Sequence, residues 1–180
     1  NYYNLPSSQG ACMTDAKHPD AQSGYEKGIS GVLQAQAGCN RIQACGGTLA
    51  STKCCSHEAL VIDNDILGMA LRTVRGVEVT DETLSIDVIR ECALGAGHYL
   101  GHAQTLASME TQFHFPGIAD RSSPDVWAEA GSPTSFDNAH KAVSAILDSH
   151  YPNHFNPDLD DKIRAKWSIH LPRERMQAAL

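Results

Sequence analysis

No stretch of this 180-residue chain approaches the roughly 18 uninterrupted apolar residues that a membrane-spanning helix needs. No charged flank followed by an apolar core marks its start as a secretory leader. A basic stripe is also absent. The 14 Lys and Arg stand against 21 Asp and Glu, a formal charge of -7, which argues against affinity built on neutralising phosphates and so against a nucleic-acid partner. Cys12, Cys39, Cys45, Cys54, Cys55 and Cys92 form no C-x-x-C pair and have neither the density nor the spacing of a secreted disulfide framework or a structural zinc site. Reduced thiols in a cytoplasm are the expectation. No G-x-G-x-x-G follows a strand-like segment, so a nucleotide cofactor has no visible seat. An initiator methionine is missing too: the chain opens Asn1-Tyr2-Tyr3-Asn4-Leu5-Pro6 and almost at once turns strand-like, and it is read as a fragment.

What is present suffices to fold. With 42% hydrophobic side chains the chain can bury one sizeable core, as one domain. Leu5 to Met13 is short, rich in small residues and ends in Thr14-Asp15, as a buried strand feeding a loop does. Pro19 suits a first helical turn, where its missing N–H costs nothing. Tyr25, Ile29, Val32 and Leu33 then mark one apolar helix face, and Gly38 a C-terminal cap. A second short segment, Asn40 to Leu49, closes on Gly46-Gly47. Ser56 as N-cap and Glu58 in the first turn open a helix that stops at Gly76. Its apolar content from Leu60 to Val74 predicts packing on more than one side. Strand and helix alternating at this length predict an α/β fold with parallel βα units.

After Gly76 only helices are expected. Thr80-Asp81-Glu82 opens one with Leu84, Val88 and Cys92 on a stripe, broken at Gly95-Ala96-Gly97. His102 to Phe113 forms the next, Ser123-Pro124-Asp125 begins a short one, Ser135 caps another, and Asn156-Pro157 starts the last, with Asp158, Asp160 and Asp161 as its solvated beginning. Asp120-Arg121 and Tyr151-Pro152 are turns. Residues 1–76 are thus expected to carry βα units, and residues 77–180 a helical remainder of the same domain. Two βα units cannot cover both faces of a parallel sheet, so further strands are expected upstream.

The run Thr14-Asp15-Ala16-Lys17-His18-Pro19-Asp20-Ala21-Gln22-Ser23-Gly24-Tyr25-Glu26-Lys27 resembles the TDAK-x-PD-x-Q-x-GYEK signature of the trimethylamine methyltransferase family. Further pieces are similar to that family in the same order: Gly38-Cys39-Asn40-Arg41-Ile42 before a Gly-Gly turn, then Asp63 to Gly68. Arg75-Gly76-Val77-Glu78-Val79 with Asp81-Glu82-Thr83-Leu84 follows, and then Gly97-His98-Tyr99-Leu100-Gly101-His102 with Gln104-Thr105-Leu106. Phe113-His114-Phe115-Pro116 and Asp120-Arg121 complete the series, which covers nearly the whole chain and corresponds to roughly the last third of a family member.

The resemblance implies the C-terminal part of a (β/α)8 TIM-like barrel followed by a helical C-terminal extension, with the substrate pocket at the C-terminal ends of the strands. It also implies transfer of a methyl group from a methylated amine, trimethylamine or a quaternary amine such as glycine betaine, to cobalamin carried by a partner corrinoid protein. The protein would bind no cofactor directly in this span and would form a homo-oligomer. A nucleophile that must approach the methyl carbon in line with the departing nitrogen calls for a cavity that orients the amine. The family's trimethylamine enzymes use pyrrolysine, whereas relatives without it act on quaternary amines, whose nitrogen already carries the charge that methyl loss neutralises. No unusual residue stands in this sequence, and the choice of amine stays open.

Candidate site residues follow from the strand ends. Asp15 and Lys17 as catalytic residues, with His18 against the substrate, lie just past the first strand; the alternative is that Thr14 and Asp15 only cap a turn. Cys45, Gly46 and Gly47 end the second strand, where glycine permits close approach of ligand or backbone and serves a tight turn equally. His98 and His102 have the spacing of a two-histidine metal pair, but Gly97 and Gly101 spoil that helix and no glutamate follows His98. They are expected to line the pocket with Tyr99, or to be structural, and no metal is assigned. Tyr25, Tyr99, Phe113 and Phe115 are candidates for a cage around a methylated ammonium, Tyr99 foremost. Two other classes stay open: a metal-dependent barrel hydrolase using the histidines, and a non-catalytic truncated fragment.

Overall fold

Two long helices carry the fold, and each begins where a side-chain oxygen meets an orphan backbone amide. The computed structural model describes residues 3–151 and 155–176, so Asn1, Tyr2 and the Pro152 half of the expected Tyr151-Pro152 turn lie outside the described residues. Helix α1, Ala21–Gln36, is capped by Asp20, whose carboxylate accepts from the Ser23 amide. Pro19 therefore stands ahead of the cap rather than in the first turn, because the extended residue that can reach back to the orphan amide is Asp20. The helix ends as expected, with Gly38 left-handed at φ 79°. Helix α2, His57–Arg75, has Ser56 as its cap, Glu58 in the first turn and Gly76 at its end.

Around α1 the chain makes one parallel βαβ unit. Strand β1, Ser8–Gly10, pairs in parallel with β2, Arg41–Gln43, in the register Ser8 to Arg41, and α1 is the crossover between them. A short antiparallel hairpin, β3 Thr48–Leu49 with β4 Cys54–Cys55, follows before α2 and was not foreseen. Its turn places Ala50, Ser51 and Thr52 at φ 49°, 55° and 67°. That makes three consecutive left-handed residues without a glycine, each costing about 1 kcal/mol. No sequence signal announces such a turn, since left-handed positions ordinarily fall to Gly or Asn.

The remaining helices are α3 Asp81–Leu84, α4 Ile86–Leu94, α5 Ala103–Gln112, α6 Pro124–Glu129, α7 Ser135–Ser149 and α8 Pro157–Lys166, with a 3-10 turn at Arg173–Met176. The single helix expected from Thr80 is divided, because Ser85 turns left-handed at φ 55° between α3 and α4. The cap of α7 is Thr134 rather than Ser135: its hydroxyl and the Asp137 carboxylate each accept the other's backbone amide.

Helix α2 lies between α1 and α7, so the expectation of packing on more than one side holds, although Leu60, Leu71 and Val74 stay exposed. The core is built mostly of small residues: Ala11, Cys12, Ala16, Ala59, Ala70 and Ala139, with Leu49 and Val143. This reverses the expected orientation of α1. Ser23, Lys27 and Gly31 face inward at helical spacing, whereas Tyr25, Ile29 and Leu33 are 56%, 61% and 60% exposed. The cause is close approach, since a Cβ on Gly31 would come within 2.4 Å of the Cys12 sulfur. The large apolar side chains Tyr25, Ile29 and Leu33 are turned outward.

Candidate functional site at the strand ends

Strand β1 feeds the segment Ala11–Ala16, which turns sharply at Cys12, left-handed at φ 56°. The Cys12 amide donates to Ser30 Oγ at 3.1 Å. Burial first, then the neighbouring Cys45 and Asp63, push its thiol up to about 11. A thiol so protonated is a packing group rather than a nucleophile. Next comes Thr14, whose hydroxyl donates to Glu26 Oε2 at 2.5 Å and accepts from the Ala16 amide at 2.9 Å. Glu26 also takes the Asp15 amide at 2.9 Å and the Gln22 side chain at 2.9 Å. These bonds, Thr14 first, then Gln22 and Asp15, hold the Glu26 carboxyl below its ordinary range.

Turn-capping therefore falls to Thr14 alone, which frees the Asp15 carboxylate for other work. It is exposed and accepts from Ser51 Oγ on the left-handed turn. Asp15, Met13, Glu26, Ser30 and Ser51 line one concavity of about 440 Å³. Lys17 and His18 are exposed on the same loop, and the His18 ring lies 4.6 Å from that of Phe136 on α7.

The loop after β2 reaches the same end of the sheet. Gly47 is left-handed at φ 69°, a Cβ there would lie 2.8 Å from the Ser56 carbonyl oxygen, and its amide donates to Asp63 Oδ2 at 2.8 Å. That carboxylate also takes the Lys27 ammonium, at 2.7 and 2.9 Å. Burial pushes the Asp63 carboxyl up, while the Lys27 and Gly47 bonds hold it down; with two charge-assisted contacts to an ammonium, the geometry is that of an ionised pair. Gly46 is exposed and Cys45 half-buried.

His98, Tyr99 and His102 lie elsewhere, between α4 and α5. His98 is exposed and not helical. His102 caps α5, its Nδ1 accepting the Gln104 amide at 3.1 Å while Nε2 sits 3.8 Å from Glu91. The pair shares no helical face, and among the described residues no three His, Cys, Asp or Glu side chains come together as a metal set. Tyr99 and Phe113 line a separate groove of about 980 Å³ with Arg72 and Val88. Tyr25, exposed on α1, is not among its walls, so the four aromatics form no single cage.

The motif segments thus fall on the elements that build these loops. The sequence model described as trimethylamine methyltransferase (MTTB) matches residues 1–169. The chain belongs to the trimethylamine methyltransferase family. It is 30% identical to a glycine betaine methyltransferase of Desulfitobacterium hafniense, over 91% of this chain and 34% of that protein. It is 35% identical to the trimethylamine methyltransferase MttB of Methanosarcina thermophila, over 88% of this chain and 32% of the relative. A Desulfitobacterium hafniense MttB is also 35% identical, over 91% of this chain and 32% of its own length. The chain spans about a third of the length of these relatives.

Three supports of the loops in this family member were missed from sequence: Glu26, Ser51 and the Lys27–Asp63 pair. Two signals pointed toward the last of these. Lys27 stands four residues from Ser23 and from Gly31, a charge on a stripe of small residues, and Asp63 and Asp65 interrupt an apolar helix. Asp65 in turn accepts the amides of Gly117, Ile118 and Ala119 at 3.0, 2.7 and 3.3 Å, tying the motif segment before Asp120 onto α2. No described helix is long and apolar enough to cross a membrane, and none of the six cysteines is in a disulfide.

Proposed function

We propose that the protein is a methyltransferase that takes a methyl group from a methylated amine and passes it to cobalamin on a partner corrinoid protein. The match of residues 1–169 to the family, with relatives named for trimethylamine and for glycine betaine, carries this reading. Residues 1–76 supply the last βα units of a TIM-like barrel whose other strands lie outside this chain, residues 77–180 are its helical remainder, and the enzyme works in the cytoplasm as a homo-oligomer. The parallel pairing of β1 and β2 through α1 supports the barrel, since the site loops follow the C-terminal ends of those strands.

Asp15 binds the cationic nitrogen and sets its orientation, so that a methyl group faces the acceptor. Lys17, two residues on and exposed, offers the opposite charge. Opposite charges so close on one loop suit a zwitterion, and glycine betaine is favoured over trimethylamine on that ground. His18 and the Cys45–Gly47 loop border the substrate, and Tyr99 serves the other groove.

The test presents the intact protein with its reduced corrinoid partner and each amine in parallel, following the visible absorbance of the corrinoid as it is methylated. Asp15→Ala should slow transfer about a hundredfold with little change in melting temperature, and Lys17→Ala should weaken glycine betaine turnover selectively. Methylation with neither amine, or equal loss of turnover and stability in Asp15→Ala, would overturn this reading.

A further inference from the structure

The left-handed turn of the β3–β4 hairpin meets the β1–α1 loop residue for residue. The Thr14 carbonyl accepts from the Ser51 amide at 2.9 Å and the Ala16 carbonyl from the Ala50 amide at 2.8 Å. Between these two backbone rungs, the Asp15 carboxylate accepts from the Ser51 hydroxyl. Glu26 fixes the same loop from its other side, through the Thr14 hydroxyl and the Asp15 amide.

Of the bonds from the hairpin to this loop, only the hydroxyl bond depends on the side chain at position 51. Asp15 is exposed, so without a partner its carboxylate would sample several staggered rotamers. Three successive L-residues held at positive φ persist only where surrounding contacts over-determine them. Here the contact that the strained conformation produces is a hydroxyl aimed at a carboxylate on the wall of a concavity that Ser51 also lines.

We propose that Ser51 is a positioning residue for Asp15, fixing the carboxylate rotamer in which the loop presents its charge to the methylated amine. This rests on the reading of Asp15 as a residue that serves methyl transfer. The backbone of the hairpin supplies the platform and the hydroxyl supplies the aim.

Three substitutions in the intact protein separate aim from platform. Ser51→Gly relieves the left-handed strain and keeps both backbone rungs but removes the hydroxyl. It should melt at or above the wild-type temperature while kcat/KM for the methylated amine falls about tenfold, the scale of a lost hydrogen bond to a charged group. Ser51→Asn, which tolerates positive φ and restores an N–H donor, should recover most of that loss. Ser51→Ala should move the Asp15 Hα–Hβ three-bond couplings toward a rotamer average, a measurement that needs no substrate. Unchanged kcat/KM in Ser51→Gly, equal loss in Ser51→Asn, or unchanged couplings in Ser51→Ala would each overturn the assignment. Wild-type protein that methylates no corrinoid would instead sink the proposed reaction, and the couplings would still decide whether Ser51 holds Asp15.

Discussion

Lys27 and Asp63 meet at 2.7 Å between α1 and α2, with 0% and 2% of their surfaces exposed. Asp63 also receives the Gly47 amide, so one carboxylate joins the two helices to the loop after β2. A buried pair of this kind costs much desolvation, and its removal as a whole differs from its mutilation. Lys27→Met or Asp63→Leu alone should destabilise the intact protein by about 3–5 kcal/mol, by leaving a buried charge unpaired. Lys27→Met with Asp63→Leu should cost far less than the sum of the two. Denaturant melts of the four proteins form the cycle that checks this, and additive losses would exclude the coupling.

Glu58 shows where acid should act on the fold. Its carboxyl is lowered from 4.5 to about 2, first by the His140 hydrogen bond, then by Ser56. A carboxylate whose folded value is depressed contributes stability that is present above its unfolded value and is lost as pH falls toward the folded one. The wild-type melting temperature should therefore drop between pH 4.5 and about 2. Glu58→Gln, having no charge to lose, should show a shallower drop over the same window; parallel curves would exclude the contribution.

Two adjacent glycines should respond differently to one methyl group. At Gly47 a Cβ would meet the Ser56 backbone oxygen at 2.8 Å, and the left-handed φ of 69° already disfavours any side chain. Gly47→Ala should cost about 1–3 kcal/mol. At Gly46 the nearest atom is the end of the Leu60 side chain at 3.1 Å, which can swing away. Thermal melts of the pair should show Gly46→Ala close to wild type, and similar losses in both would contradict the close approach at Gly47.

Tyr25, Ile29 and Leu33 leave an apolar face of α1 open, and the β1–β2 sheet has two strands among the described residues. Such surface associates in water. The 180-residue chain alone should self-associate in dilute buffer, and Tyr25→Gln, Ile29→Lys and Leu33→Gln together should raise its solubility. Sedimentation showing a cooperatively folded wild-type monomer would refute this.

The sequence by itself determined most of the helices, the family and the stations of the candidate loops. Ser56, Ser123 and Asn156 cap helices through bonds to amides three residues on, so their chemistry is legible along the chain. Asp15 and Gly47 were legible as strand-end residues for the same reason. Only the tertiary structure decided which face of α1 turns inward, because periodicity shows that a helix has two faces and not which neighbour approaches closely enough to admit only Gly31. Only it paired Lys27 with Asp63, 36 positions apart. Only it brought Ser51 to Asp15, since that contact depends on three left-handed residues whose identities favour no such conformation, and long-range hydrogen bonds to Thr14 and Ala16 help hold them there.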